Sequence, residues 1–172
     1  LFGSQYTVAP DAPRNTKEGK AAHAEFEAQC EKNGKTPVST SDYTKVCAMR
    51  DSALANPTLP LLLQNGVSEL SVFYRTEEGL LLKVRPDWFG AIDGLPFLLD
   101  IKTTADIHDF GKSVEQYGYH VQQEFYRWVM AQVFGQSFDF IFFAIGSSRE
   151  CGRYPVLPCY LEEEDGTVGR LA

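Results

Sequence analysis

The stretch Val84–Thr104, VRPDWFGAIDGLPFLLDIKTT, decides how the chain is read. Asp87 closes one short apolar run, GLLLKVRP, and a second run, LPFLLDIK, carries Asp100 and Lys102. Between them Asp93-Gly94 is a turn pair flanked by β-formers, the pattern of a hairpin. Side chains alternate along a strand, so Asp100 and Lys102 share one face while Ile101 points the other way, into a core. Two carboxylates and an amine then stand together at the edge of a sheet. Crowding charges there stabilises little, because partial burial costs more than an exposed pair returns. A divalent metal is the usual reason for such crowding, with the lysine serving a developing negative charge.

Working outward, the register is strand-like on either side of this hairpin and then helical. Val67–Tyr74 (VSELSVFY) alternates and reads as a strand that includes Glu69; Thr76–Gly79 turns into a strand over 80–85. With the hairpin these predict a meander of three or four strands. Val114–Phe134 has helical period, and Phe138–Ile145 (FDFIFFAI) is apolar enough for a strand buried on both faces. Tyr154–Leu161 predicts an edge strand, since Pro155 and Pro158 lack donors. Ahead of the sheet, residues 1–15 read as extended, and Thr16 with Gly19 opens a helix to about Asn33. Ser41 caps a second helix over 42–55, Asn56-Pro57 breaks it, and Leu59–Gln64 adds a short helical segment. The order predicts an α/β layer architecture, helices packed against a mixed sheet.

The 172 residues predict one domain: a helical lead-in over 1–66, a core over 67–146 and a peripheral strand and tail over 147–172. The net charge of −7, from 23 acidic and 16 basic residues, argues against a broadly basic nucleic-acid binder. A site that holds metal with carboxylates and meets a backbone through a local basic patch remains open. Cys30, Cys47, Cys151 and Cys159 are scattered without a CxxC pair, which speaks against a structural zinc site and a secreted disulfide scaffold. Reduced thiols in a cytoplasm are the expectation. The sequence shows no signal peptide and no long apolar run.

Each candidate group also has a plain structural reading. Asp87 after Pro86 suits a turn, Asp100–Lys102 could be a same-face ion pair, and Glu69 could point outward from a half-exposed strand. Gln122 and Tyr126 share one helix face, as do Tyr119 and Gln123 a quarter turn round. A glutamine and a tyrosine so placed could bind a phosphate or sugar, or hydrogen-bond the sheet beneath. His120 and His108 are expected to be structural, and His23 a surface or packing residue.

Taken together, Glu69, Arg85-Pro86-Asp87, Asp100-Ile101-Lys102-Thr103-Thr104, Tyr117-Gly118-Tyr119-His120-Val121-Gln122 and Tyr126 resemble the RecE exonuclease (exodeoxyribonuclease VIII) family of the PD-(D/E)xK nuclease superfamily. NTKEGKAAHAEF and Asn56-Pro57 resemble the segment ahead of that family's core, so the likeness covers nearly the whole chain. The resemblance implies a restriction-endonuclease-like core and digestion of linear double-stranded DNA from 5′ ends, leaving 3′ single strands for an annealing recombination protein. It implies a bacterial or phage-encoded enzyme that assembles as a homo-oligomeric ring. By position it makes Asp87, Asp100 and the Ile101 carbonyl metal ligands, with Glu69 a second-metal or water-mediated ligand. Lys102 becomes the catalytic lysine, and Gln122 with Tyr126 the helix motif near the substrate backbone. Hard oxygen ligands select Mg2+, with Mn2+ able to substitute, and two such metals fit phosphodiester hydrolysis. Lys83, Arg85 and Thr103 are the expected contacts to DNA backbone, which carry little sequence information. Both the family's upstream histidine helix, which would precede Leu1, and its last helix, which would begin near Val168-Gly169-Arg170 where the chain stops, are expected to be lacking here. Other readings are a restriction-type or structure-selective endonuclease, a catalytically silent DNA-binding module, and a plain α/β domain.

Overall fold

Thr16 opens the first long helix as its sequence predicts, its hydroxyl accepting the Gly19 amide at 3.0 Å and satisfying an otherwise orphaned donor. The computed structural model describes residues 5–147, 151–154, 160–162 and 168–170, with backbone alone from Arg153 onward. The chain divides into two units, residues 1–51 and 52–172. In the first, β1 (Tyr6–Val8) pairs in parallel with β2 (Thr36–Val38), and α1 (Lys17–Lys32) lies between them in sequence. His23 on α1 is buried, with Nε2 3.0 Å from the Ala12 carbonyl, so it packs and ties down the preceding segment. The second helix, α2 (Thr40–Ala55), starts two residues earlier than expected. Ser39 rather than Ser41 caps it: the Ser39 hydroxyl accepts the Asp42 amide at 3.0 Å and donates to Asp42 Oδ2 at 2.7 Å. The unit boundary falls inside this helix.

In the second unit Asn56 Oδ1 accepts the Thr58 amide at 2.9 Å and starts the short α3 (Thr58–Leu62). The strands that follow are β3 (Gly66–Ser68), β4 (Val72–Arg75), β5 (Leu81–Val84), β6 (Trp88–Ile92) and β7 (Leu95–Thr104). Then come α4 (Phe110–Gln116), α5 (Tyr119–Phe134), β8 (Asp139–Gly146) and β9 (Cys151–Tyr154), and last β10 (Tyr160–Glu162) and β11 (Val168–Arg170). The main sheet has the order β3-β6-β7-β8-β9 and is mixed: β7 and β8 are parallel, the other neighbours antiparallel. The parallel pair needs a crossover, and α4 and α5 supply it. The expected α/β architecture, helices against a mixed sheet, is what the structure shows. The predicted hairpin is β6–β7. Asp93 and Gly94 both take positive φ, 52° and 80°, the two-residue turn whose twist suits the strands it joins.

Four expectations are corrected. Val67–Tyr74 is not one strand, because Glu69 takes φ 56° and donates its amide to the Asp87 carbonyl at 3.1 Å, turning the chain out of the main sheet. There is accordingly no single meander: β4 and β5 pair with each other in a separate two-stranded sheet. Their buried Val72 and Val84 pack with Leu98, Phe140 and Phe142, so the pairing differs while the core face is kept. The helical stretch 114–134 is two helices, broken where Gly118 takes φ 65°. Ile101 does leave the Asp100 face, but at 37% exposure it is no core residue.

One further expectation holds. Phe142 and Phe143 are fully buried on opposite faces of β8, as the apolar run required. The edge position falls to β9, while Pro155 and Pro158 lie outside the described residues. Tyr160 and Leu161 pair with β11. Cys30 and Cys47 are free thiols, and Cys159 lies outside the described residues. Among the described residues no helix is long and apolar enough to cross a membrane.

Gly118 is the residue on which the helix break depends. A Cβ there would meet nothing within 4 Å, so only the left-handed backbone resists a side chain. Gly118→Ala is expected to cost about 1–2 kcal/mol in urea unfolding, and Gly118→Asn less, because asparagine tolerates this conformation. Equal costs for the two variants would contradict a purely conformational role.

Candidate active site

Asp100 and Lys102 share the face of β7 that carries Leu98, opposite Phe142 of β8. That face is the one α5 packs over, since Tyr119 and Tyr126 lie against the same core. The Gly118 break sets where α5 begins and so brings Gln122, one turn in, over the strand. Its Nε2 donates to Asp100 Oδ1 at 2.7 Å. On the other oxygen, Lys102 Nζ stands 2.6 Å from Asp100 Oδ2. This is an ion pair by distance that lacks hydrogen-bond directionality, so Oδ2 is buried without a hydrogen-bond partner. Lys102 Nζ also lies 4.6 Å from the centre of the Tyr119 ring, within cation–π range.

Asp100 is 5% exposed, which makes its charge expensive. Burial pushes its carboxyl above the ordinary 3.8; Lys102 and Gln122 pull it down, and the negative charge of Asp87 adds to the rise. The net direction is up. Asp87 is therefore within the electrostatic reach of Asp100. Its Oδ2 accepts the Ile101 amide at 2.6 Å, which ties the entry to β6 onto β7 beside the buried carboxylate.

The other sequence candidates are placed differently. Glu69 stands at its left-handed turn, half exposed, with Oε2 3.0 Å from Arg85 Nε. Arg85 is thus held by a carboxylate of its own chain. Lys83 on β5 is exposed, with Nζ 5.6 Å from the centre of the Phe73 ring in the separate hairpin sheet. The Tyr126 ring packs edge-on against Phe140, 6.2 Å between centres, within the core. Thr103 is exposed, on the strand face away from Lys102. Gln123 is buried and donates to Glu124 at 3.0 Å. His120 Nδ1 lies 3.4 Å from the Val114 carbonyl, a structural contact as expected. The structure thus brings together Asp87, Asp100, Ile101, Lys102 and Gln122; Glu69 meets Asp87 through its backbone amide while its side chain pairs with Arg85, and Lys83 and Tyr126 lie against Phe73 and Phe140.

Two contributions escaped the sequence reading. Tyr119 under Lys102 was paired only with Gln123, although its place one turn before Gln122 was a usable signal. The Asp87 bond to the Ile101 amide joins residues fourteen apart and needs the strand pairing to be seen. Among the described residues, no group of three or more His, Cys, Asp or Glu side chains stands close enough to hold a metal ion. The donors present still suit one kind of cation. Magnesium is commonly held by one or two carboxylates with waters completing its shell. Asp100 offers a buried oxygen without a hydrogen bond, in the field of a second carboxylate.

The raised Asp100 pKa fixes a sign. A carboxyl whose folded pKa exceeds its unfolded one binds its proton more tightly when folded. Its contribution to stability is full below the unfolded value and is lost as pH rises through the folded one. The stability of the wild-type chain minus that of Asp100→Asn, measured by urea unfolding in EDTA, is expected to fall as pH climbs from about 4 towards neutrality. A difference that rises over that interval would show that the ion pair with Lys102 outweighs burial.

Comparison with known proteins agrees with this geometry at the level of the fold. No curated protein matches the chain. A crystal structure of a "Putative exonuclease" from Eubacterium rectale superposes with a TM-score of 0.55 at 15% identity, over 78% of this chain and 52% of that one. This chain thus spans about half the length of that neighbour, and identity so low shows a shared fold alone. Residues 1–151 match the family described as a PDDEXK-like domain of unknown function (DUF3799). The match runs through the hairpin, the Asp100–Lys102 strand and α5: the chain belongs to this PDDEXK-like family.

Proposed function

We propose that the chain is the catalytic domain of a metal-dependent deoxyribonuclease that degrades linear double-stranded DNA from 5′ ends, leaving 3′ single strands. The observation that carries the reading is the buried Asp100 carboxylate, bonded by Gln122 and Lys102 and lying in the field of Asp87. An arrangement that burdens folding with a buried charge is typical of a catalytic centre.

In this reading Asp87, Asp100 and the Ile101 carbonyl hold Mg2+, for which Mn2+ substitutes. When bound, the cation supplies positive charge for phosphate oxygens and acidifies water. The chain's own groups do the rest. Gln122 fixes Asp100 through Oδ1, and Oδ2 stands against Lys102 Nζ at 2.6 Å. Lys102 neutralises charge that develops on the phosphate, with Tyr119 holding the ammonium close to the strand. Its role is electrostatic: the ammonium already stands against a carboxylate, 2.6 Å from Asp100 Oδ2. Glu69, paired with Arg85, lies outside this donor set, so the proposal takes one cation rather than two. The partners that go with it are duplex DNA ends, further copies of the chain in a ring, and a single-strand annealing protein.

Linear duplex DNA labelled at the 5′ or the 3′ end, in magnesium and in EDTA, tests the proposal. Magnesium-dependent release of the 5′ label is expected, with closed circles left intact. Lys102→Ala is expected to lower the rate by about 100-fold or more. Cutting of closed circles would replace the exonuclease with an endonuclease, and a folded chain that binds DNA without cutting would make it a binding module.

A further inference from the structure

Beyond Lys102 the last residues of β7 open onto a cleft of about 330 Å³. Its walls include Thr103, Thr104, Asp106, Asp109, Ser113 and Tyr117. The charge of this cleft is wrong for a phosphate. Asp109 is matched by Lys112, also in the lining and 2.9 Å from each oxygen, while Asp106, which accepts the His108 amide at 2.8 Å, leaves one negative charge over. The lining is right for a neutral group with polar edges: hydroxyls and carboxylates offer hydrogen bonds on one side and an aromatic face closes the other.

That aromatic face is Tyr117, 63% exposed. An exposed tyrosine is commonplace, and what distinguishes this one is its support. Its ring lies 5.6 Å from that of Tyr119, tilted by 31°, and Tyr119 in turn carries Lys102 Nζ on its face and packs on Phe142. Tyr117 is therefore the outer end of an aromatic stack rooted in the core, one ring away from the ammonium assigned to the phosphate. Side chains so supported present a flat surface with little rotamer entropy left to lose.

We infer that this cleft is a nucleobase subsite, in which one base of a single-stranded segment stacks on Tyr117 while its phosphates stay outside, towards Lys102. The inference deepens the nuclease reading by giving the strand leaving or entering the centre a place to dock. Base–aromatic stacking tolerates any sequence, because every base offers a π-face. This accords with a site that reads single-strandedness rather than base identity.

The test measures binding without hydrolysis, so that it does not depend on whether the chain cuts DNA. A short labelled oligothymidylate and an abasic backbone of the same length are titrated against the chain in EDTA by fluorescence anisotropy. The wild-type chain is expected to prefer the base-bearing strand by about tenfold. Tyr117→Ala is expected to bind both strands equally, and Tyr117→Phe to keep the preference, because stacking needs the ring and not the hydroxyl. Circular dichroism of the alanine variant checks that it is folded; Tyr117 is exposed, so its loss leaves the core in place. Equal binding of both strands by the wild type, a preference that survives in Tyr117→Ala, or no binding of either strand would each overturn the subsite. Failure to hydrolyse DNA in magnesium, with the stacking preference intact, would instead remove the nuclease reading and leave the subsite standing.

Discussion

The constraint on which the second unit turns is the burial of one negative charge. Asp100 lies on a strand whose neighbours Leu98 and Leu99 are fully buried, and Phe142 stands opposite it on β8. An ionised carboxylate in such surroundings costs several kcal/mol unless it is met by charge and hydrogen bonds. Gln122 contributes a bond to a charged acceptor, of the order of 1.5–3 kcal/mol, and Lys102 contributes the opposite charge. These do not cancel the cost, since burial still dominates and the carboxyl remains above its ordinary pKa. What is left over is a group poised to accept a stronger positive partner.

That one requirement reaches far along the chain. Gln122 can meet Asp100 only if α5 starts where it does, which rests on the left-handed Gly118. Lys102 can lie beside Asp100 only if the strand runs on without a bulge to Thr104, and the parallel pairing with β8 holds it in register through Thr104 opposite Gly146. Asp87 spends one oxygen on the Ile101 amide, between Asp100 and Lys102. The bond fixes the backbone at that point and keeps a second negative charge near the first.

How much of this could be read from the sequence follows from range. The β6–β7 turn and the alternation that joins Asp100 to Lys102 are local, written in Asp93-Gly94 and in a period of two, and both hold. The apolar run of β8 announced its burial equally directly. Glu69 failed because a non-glycine residue at positive φ carries no local signal inside an alternating run, so β3 and β4 read as one strand. The separate pairing of β4 with β5 is a choice between partners, which alternation does not make. The helix break was different: Gly118 stood in the middle of the helical stretch and could have been weighed. Tyr126 shows the limit of face arguments, since it shares a face with Gln122 yet lies against Phe140 while Gln122 reaches the carboxylate.

Under the nuclease reading, the same pairing governs how a phosphate is met. Several cations of the second unit already have carboxylate partners: Lys102 has Asp100, Arg85 has Glu69, Lys112 has Asp109 and Arg127 has Glu124. A phosphodiester arriving here exchanges partners with a carboxylate instead of joining an unpaired charge. The exposed pairs exchange at little cost, because each is worth at most about 1 kcal/mol. The Lys102–Asp100 pair does not, since releasing Lys102 strands a buried carboxylate. Lys102 therefore turns to a phosphate only when something else neutralises Asp100. Positive charge at Asp100 and substrate at Lys102 are coupled by the burial of a single side chain, which also explains how a chain of net charge −7 could engage a polyanion at one place without being basic elsewhere.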